Sequence, residues 1–121
     1  MIQLATSSAP FTKAVSSRAA ARLRAFRAEV ERALPGQVEH VVLFGSRARR
    51  SAQSTSDYDV AVLLGCEDLP PRLGRLLSDL AFPHVRAGFP IRAIALTTSA
   101  VDAKSSIPIA RNIARDGIEI T

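Results

Sequence analysis

Apolar residues recur with two different periods along the chain and predict a short series of helices and strands. From Leu23 to Leu34 they recur every three or four residues, which is typical of one face of a helix. Pro35 and Gly36 then predict the end of that helix. The run Val38–Phe44 is mostly apolar and rich in β-branched residues, so it predicts a strand.

The rest of the chain continues the same alternation. Residues 57–64 predict a second strand, residues 70–83 a helix that ends near Pro83, residues 91–96 a third strand, and Pro108–Asp116 a last helix before a short extended end. About ten residues separate the first two strands, whereas a parallel crossover needs a dozen or more. We therefore predict an α+β fold in which helices pack on a small mixed β-sheet.

Composition and charge narrow the class of protein. The chain has 121 residues, of which 47% are hydrophobic, and this favours one globular domain over residues 16–121 after a loose lead-in at residues 1–15. Its only cysteine, Cys66, excludes an internal disulfide. No apolar run approaches a membrane span, so we expect a cytoplasmic protein. The net charge of +5 indicates either polyanionic partners or an arginine-rich source genome.

A glycine-serine pair and two aspartates carry the candidate chemistry. Gly45-Ser46 follows the first strand, and after ten intervening residues come Asp57 and Asp59. Side chains alternate along a strand, so both carboxylates project from one face of the sheet. Two like charges at this spacing repel each other unless a cation lies between them, and Mg²⁺ binds through one or two carboxylates together with substrate phosphates.

The turn supplies the matching anion site. A glycine after a strand lets the backbone approach a ligand closely, and the amides of a turn that opens a helix point at an anion. The Ser46 hydroxyl can bind the same phosphate, and Arg47 lies next to it. Triphosphate at the turn and metal at Asp57 and Asp59 together indicate a nucleotide site.

The stretch VVLFGSRARRSAQSTSDYDVAVLL closely resembles the motif of the polymerase-beta superfamily of nucleotidyltransferases. More narrowly, the chain resembles the minimal nucleotidyltransferase domains that serve as antitoxins beside HEPN-type ribonuclease toxins. The resemblance implies the nucleotidyltransferase fold and Mg²⁺-dependent transfer of AMP from ATP. The acceptor it implies is a tyrosine hydroxyl of a HEPN-type toxin encoded next door, which is thereby silenced.

Residue by residue, the resemblance assigns the β and γ phosphates to Gly45 and Ser46. It assigns Mg²⁺ and catalysis to Asp57 and Asp59, and Arg47 completes the predicted nucleotide contacts. Direct binding of nucleic acid is not expected, because the chain lacks the interleaved basic and aromatic residues of single-strand platforms.

One position departs from the family's pattern. The family often has a third carboxylate on the next strand, where this sequence has Arg92, which neither binds Mg²⁺ nor accepts a proton at neutral pH. Asp102 or Glu67 is a candidate substitute, or two aspartates suffice. The alternative is a catalytically impaired antitoxin that acts by binding its partner alone.

Overall fold

The first helix forms where the apolar periodicity predicts it. In a computed structural model, which describes residues 11–121, helix α1 spans Ser17–Ala33 and the Ser16 hydroxyl caps it by accepting a hydrogen bond from the Ala19 amide at 3.1 Å. Its apolar stripe is buried: Leu23, Phe26 and Val30. A Ser cap and a single apolar face thus account for both the start and the orientation of α1.

The remaining elements follow in the predicted order. They are β1 (Val38–Phe44), α2 (Gly45–Ala48), β2 (Tyr58–Leu64), α3 (Leu73–Arg86), β3 (Ile91–Thr97), α4 (Pro108–Asp116) and β4 (Ile118–Glu119), with 3₁₀ turns at Phe11–Lys13 and Thr98–Ala100. The second strand begins at Tyr58, so Asp57 lies in the connection just before it.

The sheet has the order β3-β2-β1-β4. Strand β1 is antiparallel to both β2 and β4, whereas β2 and β3 are parallel, so the predicted mixed sheet is confirmed. In this register Phe44 pairs with Asp59 and Asp59 pairs with Arg92. We call the end of the strands that holds these three residues the motif end. The opposite end is the one at which Leu64 pairs with Val38 on one side and with Thr97 on the other.

Two apolar clusters cover the two faces of the sheet. Alternate residues of β2 enter each cluster: Tyr58, Val60, Val62 and Leu64 pack with α1 and α3, whereas Ala61 and Leu63 pack with α4. Asp59 has the same parity as Ala61, so it lies on the α4 face, at the end of that cluster.

Helix α3 continues past the predicted stop. It runs through Pro83 to Arg86, so the predicted end near Pro83 is wrong. The next residue, His84, is 4% exposed and its Nε2 lies 2.9 Å from Glu29 Oε1 on α1. Its ring also meets Phe26 edge to face at 5.9 Å. These contacts hold the last turn of α3 on α1, although proline removes one backbone donor.

The N-terminal residues divide at the start of the described structure. Residues 1–10 of the predicted lead-in lie outside the described residues. Phe11, also within the predicted lead-in, is fully buried, and the Arg24 guanidinium lies 5.1 Å above its ring. The packed structure therefore includes Phe11, ahead of the predicted domain start at residue 16.

Candidate active site

The chain turns sharply at Gly45, directly above Asp59. Gly45 has φ +73°, in the left-handed region that side chains disfavour. A Cβ atom at this position would lie 2.6 Å from Asp59 Oδ2. Both the backbone conformation and the close approach therefore favour glycine at this position. The Gly-Ser turn lies directly against Asp59, the second aspartate of the motif.

Asp57 and Asp59 lie together at the motif end, Asp59 within β2 and Asp57 just before it. The Asp59 side chain is 17% exposed, whereas that of Asp57 is 43% exposed. One guanidinium reaches both: Arg92 Nε donates to Asp59 Oδ1 at 3.0 Å, and Arg92 Nη1 lies 3.9 Å from Asp57 Oδ2. The pair is thus close enough for a single cation to face both carboxylates.

Arg92 occupies the place expected from the sequence for a third carboxylate. It pairs with Asp59 across the parallel strands β2 and β3, so the two side chains share one face of the sheet. The hydrogen bond to Asp59, followed by the attraction of the Asp59 charge, raises the pKa of Arg92 above its ordinary value. The guanidinium is a permanent cation at this position, and it supplies no oxygen ligand.

The two acids considered as substitutes lie elsewhere. Glu67 follows the C-terminal end of β2, and Asp102 follows the 3₁₀ turn after β3. Both segments leave the sheet at the opposite end, a full strand of seven residues, or roughly 20 Å, from Asp59. Neither acid therefore replaces the missing carboxylate. Within residues 11–121, no three His, Cys, Asp or Glu side chains converge on one metal position.

Arg47 holds the connection between the turn and the aspartates. Its guanidinium donates to the carbonyl oxygen of Ser56 at 2.9 Å and reaches that of Ser54 at 3.4 Å. It also lies 4.1 Å above the ring of Tyr58, which stacks on Phe89. In this conformation Arg47 fixes the chain that leads into Asp57, and its predicted contact with a nucleotide stays a prediction.

Sequence reasoning did not identify the pairing of Arg92 with both aspartates. The sequence places Arg92 on the next strand, but the register that brings it level with Asp59 depends on pairing between β2 and β3. One signal was available. Ile94 and Leu96 alternate onto the α4 face, and in a parallel pairing with β2 this puts Arg92 on the same face as Asp59.

The donor set at the motif end fits a divalent cation that is also bound by substrate. Asp57 and Asp59 supply oxygen ligands, and Arg92 already stands beside them as a single positive charge. Two carboxylates plus substrate phosphates are a common ligand set for Mg²⁺. Among the residues that the structure describes, no helix is long and apolar enough to cross a bilayer.

Comparison with known families agrees with this geometry. The family model described as polymerase beta, nucleotidyltransferase matches residues 29–121, which include the Gly-Ser turn, both aspartates and Arg92. The chain therefore belongs to the polymerase-beta nucleotidyltransferase family, and the predicted fold is confirmed. A comparison with curated proteins gives no significant match.

Proposed function

We propose that the chain is a Mg²⁺-dependent nucleotidyltransferase that transfers AMP from ATP to a hydroxyl group of a protein partner. One observation carries the proposal: the Gly45 turn is seated on Asp59, with Asp57 at the same edge of the sheet. Family membership supports nucleotidyl transfer in general. The nucleotide, the metal and the acceptor are parts of the proposal.

The turn would hold the triphosphate. Gly45 and Ser46 open the four-residue helix α2, where the first amides have no acceptor within the helix. They and the Ser46 hydroxyl would bind the β and γ phosphates. Asp57 and Asp59 would hold Mg²⁺, which when bound stabilises negative charge on the attacking and leaving oxygens.

The proposed reaction exchanges one phosphorus-oxygen bond for another. The hydroxyl oxygen of the acceptor attacks the α-phosphorus of ATP, and the bond from that phosphorus to the oxygen bridging to the β-phosphate breaks. Pyrophosphate leaves with the electron pair of the broken bond, and the hydroxyl proton passes to solvent. The protein's part is to orient the triphosphate on the turn so that its α-phosphate faces the acceptor.

The proposed partner is a HEPN-type ribonuclease toxin, silenced by addition of AMP to a tyrosine. The resemblance of the motif to minimal nucleotidyltransferase antitoxins motivates this choice. An apolar surface on α3 supports a protein acceptor, because Phe82 and Val85 are 57% and 44% exposed there. Exposed large apolar side chains on one helix are a common feature of protein interaction sites.

Transfer of label tests the proposal. The protein is incubated with ATP labelled at the α-phosphate, Mg²⁺ and the purified product of the adjacent reading frame. We expect label on the partner, its loss with the chelator EDTA, and its loss in the Asp57→Asn, Asp59→Asn double variant. An unlabelled partner that still forms a complex with the protein would contradict the enzymatic proposal.

A second function is favoured by Arg92. An arginine at the position of the third carboxylate, paired with both aspartates, is compatible with a protein that neutralises its partner by binding alone. Titration with Mg²⁺ and ATP separates the two functions. A chain that binds the partner but neither Mg²⁺ nor ATP would have the second function.

A further inference from the structure

The two side-chain oxygens of Asp59 have different neighbours within the protein. Oδ1 accepts the hydrogen bond from Arg92 Nε at 3.0 Å, and Oδ2 lies against the backbone of Gly45, where even a Cβ atom would not fit. The backbone of Gly45 limits access to Oδ2. Access to Oδ1 is limited only by the Arg92 side chain.

Arg92 is free to move away from the aspartates. Its side chain is 68% exposed, and β3 is an edge strand of the described sheet. An exposed ion pair between flexible side chains is weak, so rotation of the guanidinium into solvent costs little free energy. Asp59 is held much more firmly, since its side chain is 17% exposed and the turn lies on it.

A divalent cation would compete with the guanidinium for the aspartate pair. A cation that takes oxygens from Asp57 and Asp59 would meet the positive charge that already reaches both of them. Like charges at such short range repel. A metal bound through the oxygens that face Arg92 therefore competes with the guanidinium for the aspartate pair.

We propose that Arg92 is an internal counter-cation that occupies the aspartate pair until a divalent metal displaces it. This inference rests on the proposed function, because it takes Asp57 and Asp59 as the metal ligands. Arg92 lowers the apparent affinity for metal by the fraction of molecules in which the pair is already occupied. It also offsets the mutual repulsion of the two carboxylates when metal is absent.

Binding of Mn²⁺ without nucleotide tests the inference directly. Mn²⁺ prefers the same oxygen ligands as Mg²⁺, and its free concentration can be measured by electron paramagnetic resonance. We expect Arg92→Gln to bind Mn²⁺ about fivefold more tightly than the native chain, the effect of removing one exposed ion pair of good geometry.

A matched variant separates contact from net charge. Arg50→Gln removes the same charge from an exposed residue close to the turn that is not a partner of either aspartate. We expect its dissociation constant for Mn²⁺ to stay within about twofold of the native value, since an exposed charge that does not contact the carboxylates is weakened by solvent and salt. Equal dissociation constants for Arg92→Gln and Arg50→Gln would overturn the inference.

Thermal unfolding gives a second readout that is independent of activity. Without metal, we expect Arg92→Gln to unfold at a lower temperature than the native chain, because two carboxylates then face each other without a cation. Saturating Mn²⁺ should raise the unfolding temperature of this variant more than that of the native chain, since stabilisation grows with affinity. An equal rise in both proteins would count against displacement of Arg92.

The Asp57→Asn, Asp59→Asn double variant separates the two levels of the proposal. If it binds Mn²⁺ as tightly as the native chain, the aspartates are not the metal ligands, and the proposed function fails together with the inference. If it loses Mn²⁺ while Arg92→Gln and Arg50→Gln bind equally, the proposed metal site stands and only the role of Arg92 is overturned.

Discussion

Both ends of the β-sheet bring a carboxylate against a glycine, but the two sites differ in how firmly they are built. At the motif end, a Cβ on Gly45 would lie 2.6 Å from Asp59 Oδ2, and at the opposite end a Cβ on Gly65 would lie 2.7 Å from Glu39 Oε2. Gly45 has a left-handed backbone, whereas Gly65 does not. The atoms above Gly65 belong to the end of a flexible side chain.

The surroundings differ in the same sense. The opposite end has an open depression of about 970 Å³ lined by Glu39, His40, Cys66 and Glu67, among others. The histidine there already has a partner, because its Nδ1 lies 2.8 Å from Glu119 Oε1. The motif end combines a constrained turn with two acids that share one exposed arginine. The described depression lies at the opposite end, whereas backbone geometry and charge select the motif end.

The largest expected difference between the ends concerns the carboxylates. The Asp57→Asn, Asp59→Asn double variant should lose at least about 100-fold in Mg²⁺-dependent affinity for ATP, because it removes the metal's protein ligands, whereas second-sphere changes cost 10- to 100-fold. The matched Glu39→Gln, Glu67→Gln double variant should bind like the native chain. Calorimetric titration of ATP in Mg²⁺ measures both, with circular dichroism as the check on folding. Equal losses in the two variants would remove the distinction between the ends.

Replacing Gly45 and Gly65 with alanine should produce a smaller difference between the two ends. This difference should appear in stability as well as in binding of ATP. Gly45→Ala must hold a side chain at φ +73° against Asp59, so we expect a loss of about 1–2 kcal/mol in free energy of unfolding and weaker binding of ATP. Urea denaturation measures the first quantity. Gly65→Ala should cost less than about 1 kcal/mol, since the end of the Glu39 side chain can move aside. A costlier Gly65→Ala would reverse our assignment of the rigid site.

Substitution of Arg47 at the motif end and of His40 at the opposite end should produce a still smaller difference in stability. Arg47→Gln loses the bonds to loop carbonyls and the contact with the Tyr58 ring, so we expect a loss of about 1–2 kcal/mol in stability and faster proteolysis of residues 49–57. His40→Gln, which removes a part-buried hydrogen bond to Glu119, should cost about 1 kcal/mol or less. Weaker ATP binding by Arg47→Gln with unchanged stability and proteolysis would instead assign this arginine to the phosphates.

The smallest effect is expected from pH. The pKa of Arg92 is raised in the folded protein by its hydrogen bond to Asp59. As far as titration of Arg92 itself is concerned, a raised pKa means that its contribution is present below the unfolded pKa and is lost only as the pH rises through the folded one, far above neutrality. The ratio of Mn²⁺ affinities between Arg92→Gln and the native chain should therefore stay constant from pH 7 to 9. A ratio that changes within this window would show that another group controls the aspartate pair.

Histidine and proline illustrate where local pattern misleads. His84 follows Pro83 and therefore resembles a loop residue in the sequence, yet it is buried in α3 between Phe26 and Glu29. Both partners lie on α1, and Glu29 is 55 residues away from His84 in the sequence. Burial of a polar ring depends on such distant partners, and sequence neighbours carry no sign of them. The same contacts explain why α3 continues beyond its proline.

The sequence by itself determined the elements and the motif. Apolar periodicity and the spacing from Gly45-Ser46 to Asp57 and Asp59 are properties of near neighbours, and the helices and strands follow the periodicity closely. Strand alternation likewise determined the face of the sheet on which Asp59 lies, whereas Asp57 precedes the strand. These features need no knowledge of how distant segments meet.

Only the tertiary structure decided what stands beside those aspartates. Arg92 lies 33 residues from Asp59 in the chain and meets it because β3 pairs with β2 in one particular register. A shift of that register by one residue would turn Arg92 to the other face of the sheet. The register results from packing of both sheet faces against α3 and α4, so the internal cation at the candidate site is a property of the folded chain.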